Sequence, residues 1–274
     1  MTAAPAPPLQ ESITWVYRHS LPVRVGHWIN AAALIILIMS GLQIFNAHPA
    51  LYWGNRSDRS EALLSIRPVR MENGEVKGIT TVLGHSFDTT GVLGYSDHTA
   101  RGFPAWATIP GPRWLAMGRQ WHLFFAWVFT LTGLLYLCYG VVSRHLFRQL
   151  LPTRWDLSGL GRAIKDHLLL RHGDAASGYN VLQKLAYVAV LFGLAPLILL
   201  TGLSMSPMID AAFPWLLHFF GGRQGARTIH FIACFSFVGF IGIHVVQVVI
   251  TGLVNNMRSM MTGWFAVKEG RDVA

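Results

Sequence analysis

The sequence predicts an all-α membrane protein. Four transmembrane helices form a bundle, a long outer loop joins the first two, and both termini lie in the cytoplasm. Three observations carry this expectation. The 274 residues are 52% apolar and only 13% charged, where a soluble domain carries about a quarter charged residues. Four apolar runs, at 25–45, 121–142, 182–205 and 229–253, have no charge in their interiors, with Lys184 at the edge of the third. Each is long enough for a hydrocarbon core of about 30 Å. The net charge of +9 is gathered in the connections between those runs, as topology demands. That placement argues against a nucleic-acid surface and for lipid as the chain's main surroundings.

In chain order, residues 1–17 read as a disordered tail, Ala/Pro-rich over 3–8 and lacking the apolar core of a cleavable signal peptide. The first span follows Arg18 and Arg24. The insertion at 46–118 is polar and rich in Gly and Pro. Within it, 67–81 alternates polar and β-branched residues around Glu72-Asn73-Gly74, which predicts a hairpin. The second span leads to a connection at 143–181 with six basic residues (Arg144, Arg148, Arg154, Arg162, Lys165 and Arg171) against three Asp. A short basic connection belongs on the cytoplasmic side. The third span contains Pro196, which should kink it. The stretch 211–220 predicts a short interfacial helix before the fourth span. Arg258, Lys268 and Arg271 then keep the tail at 261–274 inside. The first and third connections face outward, into a bacterial periplasm. Cys138 and Cys234 fall within apolar runs and read as small apolar residues.

The chemistry lies in the histidines. The spacing R-x-x-H occurs at Arg24 and His27, at Arg119 and His122, and at Arg227 and His230, each time at the mouth of a span. His244 follows fourteen residues after His230. Fourteen residues rise roughly 21 Å along a helix and return within about 40° of the starting face. The fourth helix thus shows two histidines on one face at two depths. His122 matches the depth of His230, and His27 that of His244. Two bis-histidine pairs suit two low-spin haems b as axial ligands of the haem iron. The three arginines stand at the boundaries where anionic propionates would lie. Gly41 and Gly133 fall on the ligand faces of the first two spans, where small residues let a flat ring approach. A single histidine in a membrane helix is as often a structural hydrogen bonder; the paired depths are what raise these four above that. Zinc or copper would want its ligands converging on one point, and the apolar runs hold no carboxylates for a proton relay.

Several stretches resemble one family. Arg24-Val-Gly-His27-Trp28-Ile-Asn30, Asn46-Ala-His-Pro-Ala-Leu-Tyr-Trp-Gly54, Tyr179-Asn-Val-Leu-Gln183-Lys-Leu-Ala-Tyr187 and the His230/His244 pair are similar to the bacterial b561-type di-haem cytochromes. These include the cytochrome b subunits of nickel–iron hydrogenase, formate dehydrogenase and thiosulfate reductase. The resemblance covers about residues 18–260. It implies a di-haem cytochrome b domain that passes electrons between membrane quinone and an outer oxidoreductase partner. His27 with His244 would hold the cytoplasmic-side haem, and His122 with His230 the outer one. In relatives quinone sits near the cytoplasmic-side haem, which makes Asn30, Trp28 and Gln247 the candidates for contacting it. The stretch 102–119, with Pro104, Trp106, Pro110 and Pro112, resembles members that serve molybdenum-cofactor enzymes; hydrogenase, formate dehydrogenase or a soluble cytochrome c are the other partners the resemblance allows. A stand-alone quinol-oxidising cytochrome and a non-redox metal-binding membrane protein are the rival readings.

Overall fold

The computed structural model describes residues 13–153, 156, 158–168 and 181–268. The residues 1–12, 269–274, Arg154, Arg171, Tyr179 and Asn180, to which expectations attach above, lie outside that set. Four helices are long and apolar enough to cross a membrane: α1 (Leu21–Phe45), α2 (Leu115–Val142), α4 (Val181–Ser204) and α7 (Gly222–Ile250). Shorter helices are α3 (Leu160–Leu168), α5 (Pro207–Ala212), α6 (Pro214–Phe219) and α8 (Leu253–Thr262). Helices α1, α2 and α7 begin four to seven residues before the apolar runs that announced them. Hydropathy marks the lipid-facing part, while the backbone stays helical into the polar boundary, and so Arg24, Arg119 and Arg227 are helical.

Pro196 acts through a change of winding. Helix α4 is α-helical over Val181–Val188, π-helical over Ala189–Leu194 and α-helical again over Ala195–Ser204. Proline has no N–H to give, and its ring crowds the carbonyl four residues back. A wider turn just before it absorbs both defects. The single helix expected at 211–220 is two helices, because Pro214 interrupts the backbone pattern and starts α6.

The chain divides into two compact units. One unit takes the chain up to His27, then Tyr136–Tyr187 and everything from Ile241. Strands form within the stretches 1–17 and 261–274 expected as tails. Strand β1 (Ile13–Tyr17) pairs antiparallel with β8 (Trp264–Lys268), Trp15 opposite Ala266. Asn255 holds the ladder by donating to Ala266 O (2.7 Å) and accepting from Ala266 N (2.9 Å). Gly263 caps α8 with φ +92°, and a Cβ there would meet the Tyr17 ring at 2.6 Å. Only glycine tolerates both conditions. Tyr139 donates to Ser20 Oγ (2.9 Å), which joins α2 to the start of α1.

The other unit is Trp28–Leu135 with Val188–Phe240. It holds the long connection between α1 and α2, which is a folded cap. Strands β2 (Ala50–Leu51), β3 (Leu64–Arg70), β4 (Val76–Val82) and β5 (His85–Asp88) form one antiparallel sheet in that order. The β3–β4 hairpin, with Arg67 opposite Ile79, is the one expected around Gly74, whose φ is +83°. Strands β6 (Gly94–Ser96) and β7 (Thr99–Arg101) form a second hairpin. Leu51, Ile66 and Phe103 from the cap pack with Leu42 and Phe45 of α1, and Phe231 of α7 joins them. Polar anchors reinforce this. Asn46 brackets Phe103 with two hydrogen bonds, and Thr228 donates to Tyr52 O (2.7 Å).

Candidate haem sites

The structure brings the four histidines together as two pairs, one in each unit. His27 of α1 and His244 of α7 have ring centres 6.2 Å apart, with planes inclined at 55°. His122 of α2 and His230 of α7 have ring centres 6.2 Å apart, with planes at 63°. Two metal–nitrogen bonds of about 2 Å, plus about 1.1 Å from each nitrogen to its ring centre, separate opposed imidazoles by about 6.2 Å. Both pairs therefore fit one iron held between two rings. Among the described residues no group of three or more His, Cys, Asp or Glu gathers into a metal site. A haem needs only the two axial ligands, because the porphyrin supplies the rest.

The hydrogen bonds at the second pair point the same way. His122 Nδ1 lies 3.1 Å from Leu37 O and 3.1 Å from Ser40 Oγ. His230 Nδ1 lies 3.1 Å from Thr201 Oγ1. Leu37 O only accepts, so His122 Nδ1 carries the proton; Thr201 Oγ1 gives its own proton to Leu197 O, so it accepts from His230 Nδ1, and each Nε2 presents its lone pair. A ligating histidine uses its second nitrogen in this way. Sequence reasoning had not singled out Ser40, Thr201 or these two carbonyls. Gly41, expected beside a haem, lies against the ligand itself: a Cβ on it would stand 3.3 Å from His122 Cε1. Gly202 holds the same relation to His230, also at 3.3 Å. Gly133 has open space where its Cβ would be.

The arginines differ among themselves. Arg24 donates to Met261 O (2.5 Å) through Nη1, while its buried Nε finds no acceptor among the described residues. Such an orphaned donor in the unit of His27 and His244 suits a carboxylate. Arg227 donates to the carbonyls of His48 and Ala50, and its guanidinium lies 5.2 Å over the Phe45 ring. It thereby ties α7 to the cap. Arg119 is exposed on α2. Of the three quinone candidates, Trp28 is exposed, and Asn30 and Gln247 are half-buried. Asn30 Oδ1 is buried with no hydrogen-bond donor among the described residues. His19 is a titratable neighbour the sequence did not single out. Burial, and then the charges of Arg18, His27, His145 and Arg24, push its pKa down to about 4, so it is neutral at ordinary pH.

A family model described as prokaryotic cytochrome b561 matches residues 18–263. The chain belongs to that family. It is a membrane-embedded b-type cytochrome working in electron transfer, and the family implies haem b as its cofactor. Four spans in a prokaryotic family make it a multi-pass bacterial membrane protein. Among curated proteins it is similar to one from Azospira oryzae named "Putative protein-methionine-sulfoxide reductase subunit YedZ1". The two are 28% identical over 228 residues, which is 82% of this chain and 87% of the relative. No solved structure matches this cytochrome.

Proposed function

We propose that this cytochrome carries electrons through two bis-histidine haems b between the quinone pool of the bacterial inner membrane and an oxidoreductase on the periplasmic side. The observation that carries the reading is the pair of histidine pairs, each with ring centres 6.2 Å apart. His27 with His244 would hold one haem and His122 with His230 the other. A six-coordinate haem supplies one-electron transfer and no open position for substrate. The chain's own residues therefore bind, orient and neutralise. The four histidines fix the groups, and Arg24, Arg119 and Arg227 lie where propionate charge would need compensation. Arg24 has the strongest support, through its unpaired Nε. Arg227 would reach a propionate only with N–H groups left over from His48 and Ala50.

On the cytoplasmic side Asn30, Trp28 and Gln247 would contact quinone. For Asn30 the support is a buried carbonyl oxygen still in want of a donor. A reduced quinone hydroxyl is a donor of that kind. The partner would dock on the folded cap. The relative is named as a subunit of a protein-methionine-sulfoxide reductase, which favours a dedicated partner enzyme over a stand-alone cytochrome. We take that partner to be a molybdenum-cofactor oxidoreductase acting on a sulfoxide.

Purified protein should bind two haems per chain and show b-type bands in a reduced-minus-oxidised spectrum. His244→Ala should lose one haem and His122→Ala the other. Protein that folds and binds no haem would sink the proposal. Folded single variants that all lose both haems equally would remove the separate pairing. Copurification of a periplasmic subunit decides between the partnered and stand-alone forms.

A further inference from the structure

The two histidines of the His122/His230 pair rest on a repeated seat, carried by α1 and α4. The sequences are Ile36-Leu-Ile-Met-Ser40-Gly41-Leu42 and Leu197-Ile-Leu-Leu-Thr201-Gly202-Leu203. In each, the hydroxyl gives its proton to a carbonyl of its own helix, and in the first the Leu37 carbonyl also stands 3.1 Å from His122 Nδ1. In each, the hydroxyl stands 3.1 Å from the same Nδ1. In each, the glycine leaves just enough room for the ring, at 3.3 Å from Cε1. Both hydroxyl residues are 0% exposed.

The hydroxyl protons are already committed. Ser40 Oγ donates to Ile36 O at 2.6 Å, and Thr201 Oγ1 to Leu197 O at 2.7 Å. Each oxygen can therefore only accept from the imidazole, and at His122 the Nδ1–H is shared with the Leu37 carbonyl as well. Such acceptors draw the proton outward and enrich the ring in electron density, which makes Nε2 a stronger donor to an electron-poor metal. The glycine fixes which way the ring plane faces, because any side chain at that place would meet Cε1.

We infer that Ser40 and Thr201 are positioning residues that hold the redox potential of the His122/His230 haem down, by accepting from Nδ1 of its two ligands. Gly41 and Gly202 set the planes of those ligands. The inference rests on the functional reading above. It adds that the potential of this haem is governed from helices that supply no ligand to it.

The test uses full-length protein in detergent. Ser40→Ala, Thr201→Val and the double variant are compared with the hydroxyl-keeping Ser40→Thr and Thr201→Ser. The readouts are haem per chain, a potentiometric titration and the low-temperature paramagnetic resonance of the oxidised haems. The component absent from His122→Ala identifies the haem concerned. The expected result is a rise in the midpoint potential of that component in Ser40→Ala and Thr201→Val, larger in the double variant. The other component should stay put, and Ser40→Thr and Thr201→Ser should behave as wild type. Loss of that haem in the alanine or valine variant, restored by the hydroxyl-keeping one, supports the same role. Unchanged potentials and resonances in the double variant, with both haems bound, overturn the inference and leave the electron-transfer reading standing. Wild-type protein without haem overturns the electron-transfer reading itself, so the two failures are distinct.

Discussion

At the scale of single residues the histidines were legible and their supports were not. The R-x-x-H spacing and the step from His230 to His244 survive in one dimension, because both lie within one helix. The seats do not, because Ser40 meets His122 across 82 positions and Thr201 meets His230 across 29. A serine or threonine in a membrane helix ordinarily bonds its own backbone, as both of these also do. Nothing in the sequence separates that routine bond from the second one. Gly202 gives a sharp prediction here. Valine at 202 would drive a branched side chain into the His230 ring, already 3.3 Å from a bare Cβ. Overpacking of this kind costs about 1–3 kcal/mol. Gly202→Val should therefore lower the affinity for the haem of His122 and His230 and spare that of His27 and His244. Haem titration of the apoprotein measures this, and equal weakening of both sites would count against it.

At the scale of elements, the sequence announced helices, one hairpin and room for a small irregular subdomain at 46–118, but not the strands that build the cap. The β3–β4 hairpin is local, and its turn residues declare it. The strands β2, β5, β6 and β7 are two to four residues long, too short for alternation to stand out. They exist through distant partners, as when Ala50 and Leu51 pair with Ser65 and Leu64. Their fold also depends on a buried cation. Arg101 is 6% exposed and donates to Phe103 O (2.6 Å), Gly111 O (2.9 Å) and Thr108 Oγ1 (2.9 Å). Burial lowers its pKa, yet a guanidinium stays charged. These bonds draw the end of β7 and the stretch leading to α2 together. Arg101→Met would remove three hydrogen bonds that a charged group makes inside the cap. Hydrogen bonds to charged groups contribute about 1.5–3 kcal/mol each, so the cap should lose about 2 kcal/mol or more. Limited proteolysis in lipid nanodiscs should then cut within 46–118, while the haem spectrum stays intact. Unaltered protection would contradict the assignment of Arg101 as the cap's internal tie.

At the scale of the whole molecule, the basic surplus of the +9 charge is paired in only a few places. Among the described residues three ion pairs occur: Lys77 with Asp88, Lys184 with Asp156, and Arg223 with Asp210. Other cations are held by uncharged acceptors, as Arg101 and Arg227 are by backbone carbonyls. Asp156 is held by three donors. It accepts from Thr153 N (2.7 Å) and Thr153 Oγ1 (2.9 Å) and from Lys184 Nζ (2.9 Å) at the start of α4. The Thr153 backbone N–H, then the Lys184 and Thr153 side chains, lower its pKa from 3.8 to about 2. The unfolded chain therefore takes up this proton before the folded one does. The stabilisation is complete above the unfolded value, declines as pH falls, and is gone below the folded value. Lys184 ends the polar connection and opens the third span, so this contact fastens the connection to the start of α4. Asp156→Asn should lower the melting temperature at pH 7. The gap from wild type should stay constant down to about pH 4 and close as pH falls towards 2. Thermal melts of detergent-solubilised protein across that range supply the check. A gap that persisted undiminished at the acid end would mean that the carboxylate's charge is not what fastens the connection to α4.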